Sequence, residues 1–311
     1  YLRNANSAKY FAGFPIGFNV ALGGKTPTGE DAVNILSFLC LKAQDHIGLP
    51  QPNVSARFHQ HSPDDFINEC SRVIGLGSGM PQIFNDESII PALENQGIAP
   101  KHAMDYAIVG CVELTTPGNN LGWSDAAMVN VPKALELTIN NGMCLLTGKQ
   151  IGQPTGYLKD YPTYQAFETA FEKQLNFFIE KMIRLCERVD RFHARILPSP
   201  FLSSVIDGCL EKGLDVTAGG ALYNLSGIQM IQVANIADSL AVIDKLIYKE
   251  QTISAETMLK MLRKNYEGYE DLRQQIINHV PKYGNDIQWV DELGLKWTRF
   301  FVDQLKNYTN A

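Results

Sequence analysis

Long apolar runs are missing from this chain. No stretch of roughly 18 uninterrupted apolar residues occurs, so nothing in it reads as a membrane span. The residues Tyr1, Leu2, Arg3 and Asn4 do not open a charged-then-apolar export signal. Positive charge is also short: 27 Lys+Arg stand against 33 Asp+Glu, a net charge of −6, which disfavours a polyanionic nucleic acid partner. Cysteine is sparse and scattered, at Cys40, Cys70, Cys111, Cys144, Cys186 and Cys209, with no C-x-x-C pair and no dense framework. That pattern excludes a disulfide scaffold and implies reduced thiols in a cytoplasm. Linkers, internal repeats and low-complexity tracts are absent as well, which implies one α/β domain.

What is present is ordinary globular composition over 311 residues, 45% hydrophobic and 19% charged, enough to bury a sizeable core. Helical spacing at Val33, Leu36, Leu39, Leu41 and Ala43 predicts a helix from Asp31 to His46 with that face buried, ended by Gly48 and Pro50. Residues 52–59 suit a strand. A helix follows, with Ser62 as cap, Pro63 in the first position, and Phe66, Cys70, Val73 and Ile74 buried. Gly75, Gly77 and Gly79 mark a turn, Met80 to Asn85 an extended segment and Asp86 to Leu93 a helical turn. Further helices are expected over 126–141, 163–193, 236–248 and 254–266, with a strand over 228–234. In the long helix Phe167, Phe171, Leu175, Phe178, Met182, Leu185, Val189 and Phe192 form an apolar stripe, which reads as core.

The chemistry concentrates in Tyr106 to Leu114, an apolar extended run broken by Gly110 and followed by Thr115, Thr116, Pro117 and Gly118. In an extended backbone residues i and i+2 project to one side, so Cys111 and Glu113 would point into one cavity. Cysteine is often only a small buried hydrophobe. Glu113 weighs against that reading, since a carboxylate among Ile108, Val109, Val112 and Leu114 costs free energy unless paired or protonated. Other candidates are weaker. His59 and His61 form an H-x-H, but no third ligand accompanies them. The glycines at 75, 77 and 79 lack the Lys-Ser/Thr of a phosphate loop. A thiol hydrolase would need a histidine beside Cys111.

The run Asp105-Tyr106-Ala107-Ile108-Val109-Gly110-Cys111-Val112-Glu113, with Pro117-Gly118 and Gly122-Trp123-Ser124-Asp125-Ala126-Ala127, resembles the active-site loop of glycyl radical enzymes, in their diol-dehydratase and choline-lyase-like branch. Pro50-Gln51-Pro52-Asn53 with Arg57 and His59, Gly79-Met80-Pro81 with Phe84-Asn85-Asp86-Glu87, Gly219-Gly220-Ala221 with Tyr223-Asn224, and Pro281 to Asp286 agree. The resemblance implies an α/β fold, the second half of a ten-stranded barrel with surrounding helices. Residues 1–311 would be a partial pyruvate formate-lyase-like catalytic domain, lacking the N-terminal half and the C-terminal glycyl radical domain.

By the same resemblance Cys111 becomes the transient thiyl that abstracts hydrogen, Glu113 is the base, and Asp125, with neighbouring Ser124, contacts substrate. Val112 stands where pyruvate formate-lyases carry a second cysteine, which argues against pyruvate cleavage. The R-V-A/S-G-Y loop that stores the radical does not occur in the sequence, so the chain alone is expected not to turn over. The whole protein would be a glycerol or 1,2-diol dehydratase-like lyase. The alternatives are a choline trimethylamine-lyase, a hydroxyproline dehydratase-like enzyme or a radical-incompetent scaffold. The resemblance further implies a homodimer, an anaerobic cytoplasmic setting, no metal or organic cofactor bound by this chain, and an S-adenosylmethionine iron–sulfur activase that installs the glycyl radical.

Overall fold

The computed structural model describes residues 19–49, 52–121 and 124–309. Tyr1 to Asn4, Pro50, Gln51, Gly122 and Trp123, which figured above, lie outside them. The chain sorts into two compact units, Tyr1–Ser124 with His193–Gly227, and Asp125–Phe192 with Ile228–Ala311. Each unit draws on two separated stretches of sequence, so no linker marks the division.

The first unit is built on a parallel three-stranded sheet of β1 (Asn19–Gly23), β2 (Asn53–Phe58) and β3 (Gln82–Asn85), with β2 central. Alternation gives its two faces different jobs. Val54 and Ala56 of β2, with Leu22, pack on Leu41 of α1 (Ile35–Ile47) and on Phe66, Cys70 and Val73 of α2 (Asp64–Val73). Asn53, Ser55 and Arg57 line the other face, and all three are buried. Along the chain follow α3 (Asp86–Asn95), α4 (Pro100–Met104) and an antiparallel hairpin of β4 (Ala107–Val109) and β5 (Glu113–Thr115).

Several expectations in this unit need correction. Helix α1 starts at Ile35, capped by the Asn34 side chain, because that amide satisfies the exposed N–H of Leu36. Its buried residues are Ser37, Leu41 and Gln44, while Leu36 and Leu39 are exposed. Ser62 caps nothing: Pro63 is the N-cap of α2, and the Ser62 hydroxyl accepts the N–H of His59 at 2.9 Å. Ile74 is 36% exposed and lies past the end of α2.

In the second unit β6 (Ala127–Asn130) pairs in parallel with β7 (Ile228–Ile231). A helix had been expected from Ala126, but helix α5 begins only at Val131. The Asn130 side chain accepts from Lys133 N–H and Pro132 sits in the first turn, so helix-start signals stand where continuous helix was read. Helix α6 (Tyr164–Ile196) buries Phe167, Phe171, Leu175, Ile179 and Ile183. That set advances by four and precesses around the helix away from the expected stripe, leaving Leu185 and Phe192 exposed. Phe171 meets Trp297 of the C-terminal helix Gln288–Leu305 with ring centroids 4.3 Å apart. Ile236 and Leu240 of the helix Val233–Val242 belong to the same core. No described helix is long and apolar enough to cross a membrane.

Candidate functional site

Residues 110–112 form the tip of the β4–β5 hairpin, where Val109 pairs with Glu113. Cys111 is therefore a turn residue, and the strand alternation argued above does not apply to it. A different device brings the pair together. Gly110 adopts φ +60°, a left-handed conformation that a side-chain-bearing residue enters only with strain. The chain then doubles back, and Glu113 Oε2 accepts the backbone N–H groups of Cys111 at 2.8 Å and Val112 at 3.0 Å. The carboxylate thus closes the tip that presents the thiol. Cys111 itself is exposed, whereas Cys70, Cys144 and Cys209 are buried. Burial pushes the Cys70 thiol up to about 12, as befits a packing residue.

The hairpin rests on the polar face of the first sheet. Asn53 and Asn19, opposite one another on β2 and β1, both donate their side-chain N–H groups to the Gly110 carbonyl, at 2.7 and 3.0 Å. The same Asn53 nitrogen lies 3.8 Å from Cys111 Sγ. At the hairpin's base Arg57 donates to the carbonyls of Tyr106 and Met104 at 2.8 and 2.7 Å. Its guanidinium lies 3.8 Å over the Tyr106 ring, and Tyr106 donates its hydroxyl proton to Asp86 at 2.8 Å. Burial, then Asp86, pushes the Tyr106 phenol well above its ordinary range, so it stays protonated and donating. Arg57 and Asp86 lie in the sequence motifs given above with no role assigned to them, and no sequence motif points to Asn19. The usable signal was the alternation of Asn53, Ser55 and Arg57 on a strand with an apolar opposite face.

The remaining candidates fall into place. His59 uses both ring nitrogens, Nε2 with Asp31 at 3.0 Å and Nδ1 accepting the N–H of His61 at 3.3 Å, so the H-x-H is a hydrogen-bonded turn. Among the described residues no group of three or more His, Cys, Asp or Glu is arranged to hold a metal. The glycine run is not a simple turn: Ile74–Ser78 continues α2 as a π-helical segment, kinked at Gly77 and ended by Gly79, both at positive φ. Tyr223, from the Gly219-Gly220 motif, accepts the N–H of Ala99 at 3.0 Å and pairs with His102 Nδ1 at 2.8 Å. Ser124 ends the first stretch of the first unit and Asp125 opens the second unit, in the turn before β6. The Ser124 hydroxyl is buried without a hydrogen-bond partner, and Asp125 is exposed. A Cβ at Gly227 would collide with the Ser124 carbonyl, so that glycine is what admits the turn.

Comparison with known proteins agrees with this architecture. The pyruvate formate lyase-like family model matches residues 1–311. The chain is 35% identical over 278 residues to the (2S)-3-sulfopropanediol dehydratase of Klebsiella oxytoca, covering 89% of this chain and 34% of that protein. It is 34% identical over 275 residues to the trans-4-hydroxy-L-proline dehydratase of Clostridioides difficile, covering 88% and 35%. Among solved structures, the glycerol-bound B12-independent glycerol dehydratase of Clostridium butyricum superposes with a TM-score of 0.86 at 37% identity, over 96% of this chain and 37% of that one. The chain thus spans about a third of the length of these relatives, and its fold is part of a glycyl radical enzyme α/β barrel. With the family match covering residues 1–311, the chain belongs to the pyruvate formate lyase-like family of glycyl radical enzymes.

Proposed function

We propose that Cys111 and Glu113 are the hydrogen-atom acceptor and the base of a glycyl radical dehydratase acting on a glycerol-like or other 1,2-diol substrate. The observation that carries this reading is the hairpin tip, where an exposed thiol and a carboxylate two residues on are held together through the Cys111 and Val112 N–H groups. The exposed sulfur also fits the demand that another chain segment reach it, which the buried thiols do not meet. A glycyl radical, held on a residue outside these 311 and installed by an S-adenosylmethionine iron–sulfur activase, would supply the one-electron chemistry that turns the Cys111 thiol into a hydrogen-atom acceptor.

In the reaction proposed, the Cys111 sulfur takes a hydrogen atom from a hydroxyl-bearing carbon, S–H forming as C–H breaks. Glu113 accepts the proton of that hydroxyl and passes it to the neighbouring hydroxyl, which leaves as water as its C–O bond breaks, and the resulting product radical takes the hydrogen atom back from the Cys111 S–H. Acceptor and base must reach adjacent substrate atoms at once, and a two-residue separation at a turn provides that proximity. Asp125, with Ser124 beside it, would hold a substrate hydroxyl. Val112 in place of a second thiol leaves no carrier for an acyl group, which speaks against pyruvate cleavage.

A cyclic hydroxylated substrate is the second reading, favoured by the 34% identity to a hydroxyproline dehydratase. The homodimer, the activase and the anaerobic cytoplasmic setting belong to the same proposal, as does the expectation that the 311 residues alone do not turn over. The test is Cys111→Ala in the intact, anaerobically activated protein, offered glycerol, 1,2-propanediol and trans-4-hydroxyproline. Substrate consumption should vanish while the glycyl radical signal in electron paramagnetic resonance persists. Unchanged turnover refutes the assignment.

A further inference from the structure

The Gly110 carbonyl carries two side-chain donors, the amides of Asn53 at 2.7 Å and Asn19 at 3.0 Å. A carbonyl has two lone pairs, so this pair of donors saturates it. Asn53 is 3% exposed, and a buried amide is costly in the interior of a strand unless it is bonded. An apolar residue there would avoid that cost, and the bonds that offset it run to the residue before Cys111. The same nitrogen sits 3.8 Å from Cys111 Sγ, at the long range in which an N–H reaches a weakly accepting sulfur. Glu113 holds the far side of the tip through the N–H groups of Cys111 and Val112. The thiol is thereby fixed from both sides, by β2 before it and by β5 after it.

We propose that Asn53 is the positioning residue for the Cys111 thiol: its amide clamps the Gly110 carbonyl and aims the sulfur at the carbon that gives up hydrogen. This rests on the reading of Cys111 as hydrogen-atom acceptor. The role assigned to Asn53 is one of positioning through the tip, not of contact with the transferred hydrogen. Asn19 shares the carbonyl but is not placed against the sulfur, so its part is the smaller one.

A misplacement of about 1 Å costs on the order of 100-fold in rate, and hydrogen transfer is short-ranged, so the effect belongs in kcat. In the activated intact protein Asn53→Ala should lower kcat about 10- to 100-fold while leaving KM within about twofold. The deuterium isotope effect on a substrate labelled at the hydroxyl-bearing carbon should rise, because the mispositioned transfer becomes rate-limiting. Asn53→Asp, equal in size but without the N–H donors, should lose at least as much, and Asn19→Ala less. A second readout needs no turnover: before activation, iodoacetamide should modify Cys111 about threefold or more faster in Asn53→Ala, since the sulfur is no longer held beside the Asn53 N–H. Cys70, fully buried, should stay unmodified and serves as the marker of an intact fold.

Unchanged kcat, isotope effect and Cys111 labelling overturn the inference, whereas parallel losses in kcat, KM and Cys70 protection mark general unfolding of that variant. Should Asn53→Ala unfold in that way, Asn53→Asp decides on the same measurements. Should Cys111→Ala itself remain active, the functional reading fails, and the inference falls with it even where the labelling shift is observed.

Discussion

Arg57 and Asp86 meet in a two-point pair with both partners buried, Nε to Oδ1 at 3.0 Å and Nη2 to Oδ2 at 2.9 Å. The guanidinium spends two further donors on the carbonyls of Met104 and Tyr106, where the chain enters the β4–β5 hairpin. Asn53 grips the hairpin tip from the same strand and the same face. Four residues of extended strand separate the two, roughly 13 Å at about 3.3 Å per residue. One face of β2 therefore holds the base and the tip of the element that carries the proposed chemistry.

Asp86→Ala should be severe. It strands the Arg57 guanidinium at 6% exposure and removes the acceptor of the Tyr106 hydroxyl. Breaking one side of a buried ion pair costs about 3–5 kcal/mol, and urea denaturation reads it directly. Ser55, on the same face between Asn53 and Arg57, is the matched control. Its hydroxyl is buried with no hydrogen-bond partner, so Ser55→Ala should be neutral or slightly stabilising. Equal losses in the two variants would show that the pair does not anchor the hairpin.

Gly110→Ala tests the tip in isolation. The backbone there has φ +60°, and an added Cβ would stand 2.9 Å from Glu113 Oε2. The left-handed conformation alone costs an L-residue about 1–2 kcal/mol. The displaced carboxylate should release the Cys111 and Val112 N–H groups, so turnover of the activated protein should fall by more than the stability loss accounts for. A stability loss with full retention of turnover would separate tip geometry from catalysis.

The sequence made much of this architecture readable, for identifiable reasons. Strand β2, helix α2 and the hairpin carry local signals: β-branched and alternating residues, carboxylates in a first helical turn, and a glycine flanked by apolar runs. The burial of α1 was misread because its buried face includes Ser37 and Gln44, whose polarity hides them from an apolar count. Strand β6 was misread as helix although Asn130 and Pro132 marked the true start. The Cys111/Glu113 pair was found by its spacing, but the reason was local and different: a positive-φ glycine and a carboxylate folding back on two N–H groups. Contacts from residues far apart in sequence, Asn19 and Asn53 to Gly110 and Arg57 to Asp86, leave no periodic trace in the sequence.

Cys144 should give the protein a pH-dependent stability component above neutrality. Hydrogen bonds from Thr147 first, then Lys133, whose Nζ lies 3.1 Å from the sulfur, lower this thiol to about 7 from the usual 9.0. Between those values the unfolded chain binds the proton that the folded chain has released, so stability rises with pH across that window. The contribution is complete above about pH 9 and fades as pH falls through about 7. Cys144→Ser should remove it: the wild-type advantage in thermal midpoint should widen from pH 7 to pH 9 and be least at the acid end. A constant difference across that range would show that the folded thiol titrates like an ordinary one.

Glu113→Gln distinguishes the chemical role of this side chain from its structural one. The hairpin tip needs an acceptor for the N–H groups of Cys111 and Val112, and a glutamine carbonyl oxygen supplies one at the same reach. The tip should survive, with stability changed by no more than about 1 kcal/mol and Cys111 alkylation close to wild type. A neutral amide takes up no proton, however, and loss of a positioned base costs about 100- to 10,000-fold. The activated protein should therefore show an intact glycyl radical signal and a kcat lowered on that scale. Glu113→Ala should add to this a looser tip, read as faster Cys111 alkylation. A Gln variant with near-normal turnover would leave Glu113 as a turn-closing residue and move the search for the base to Asp125.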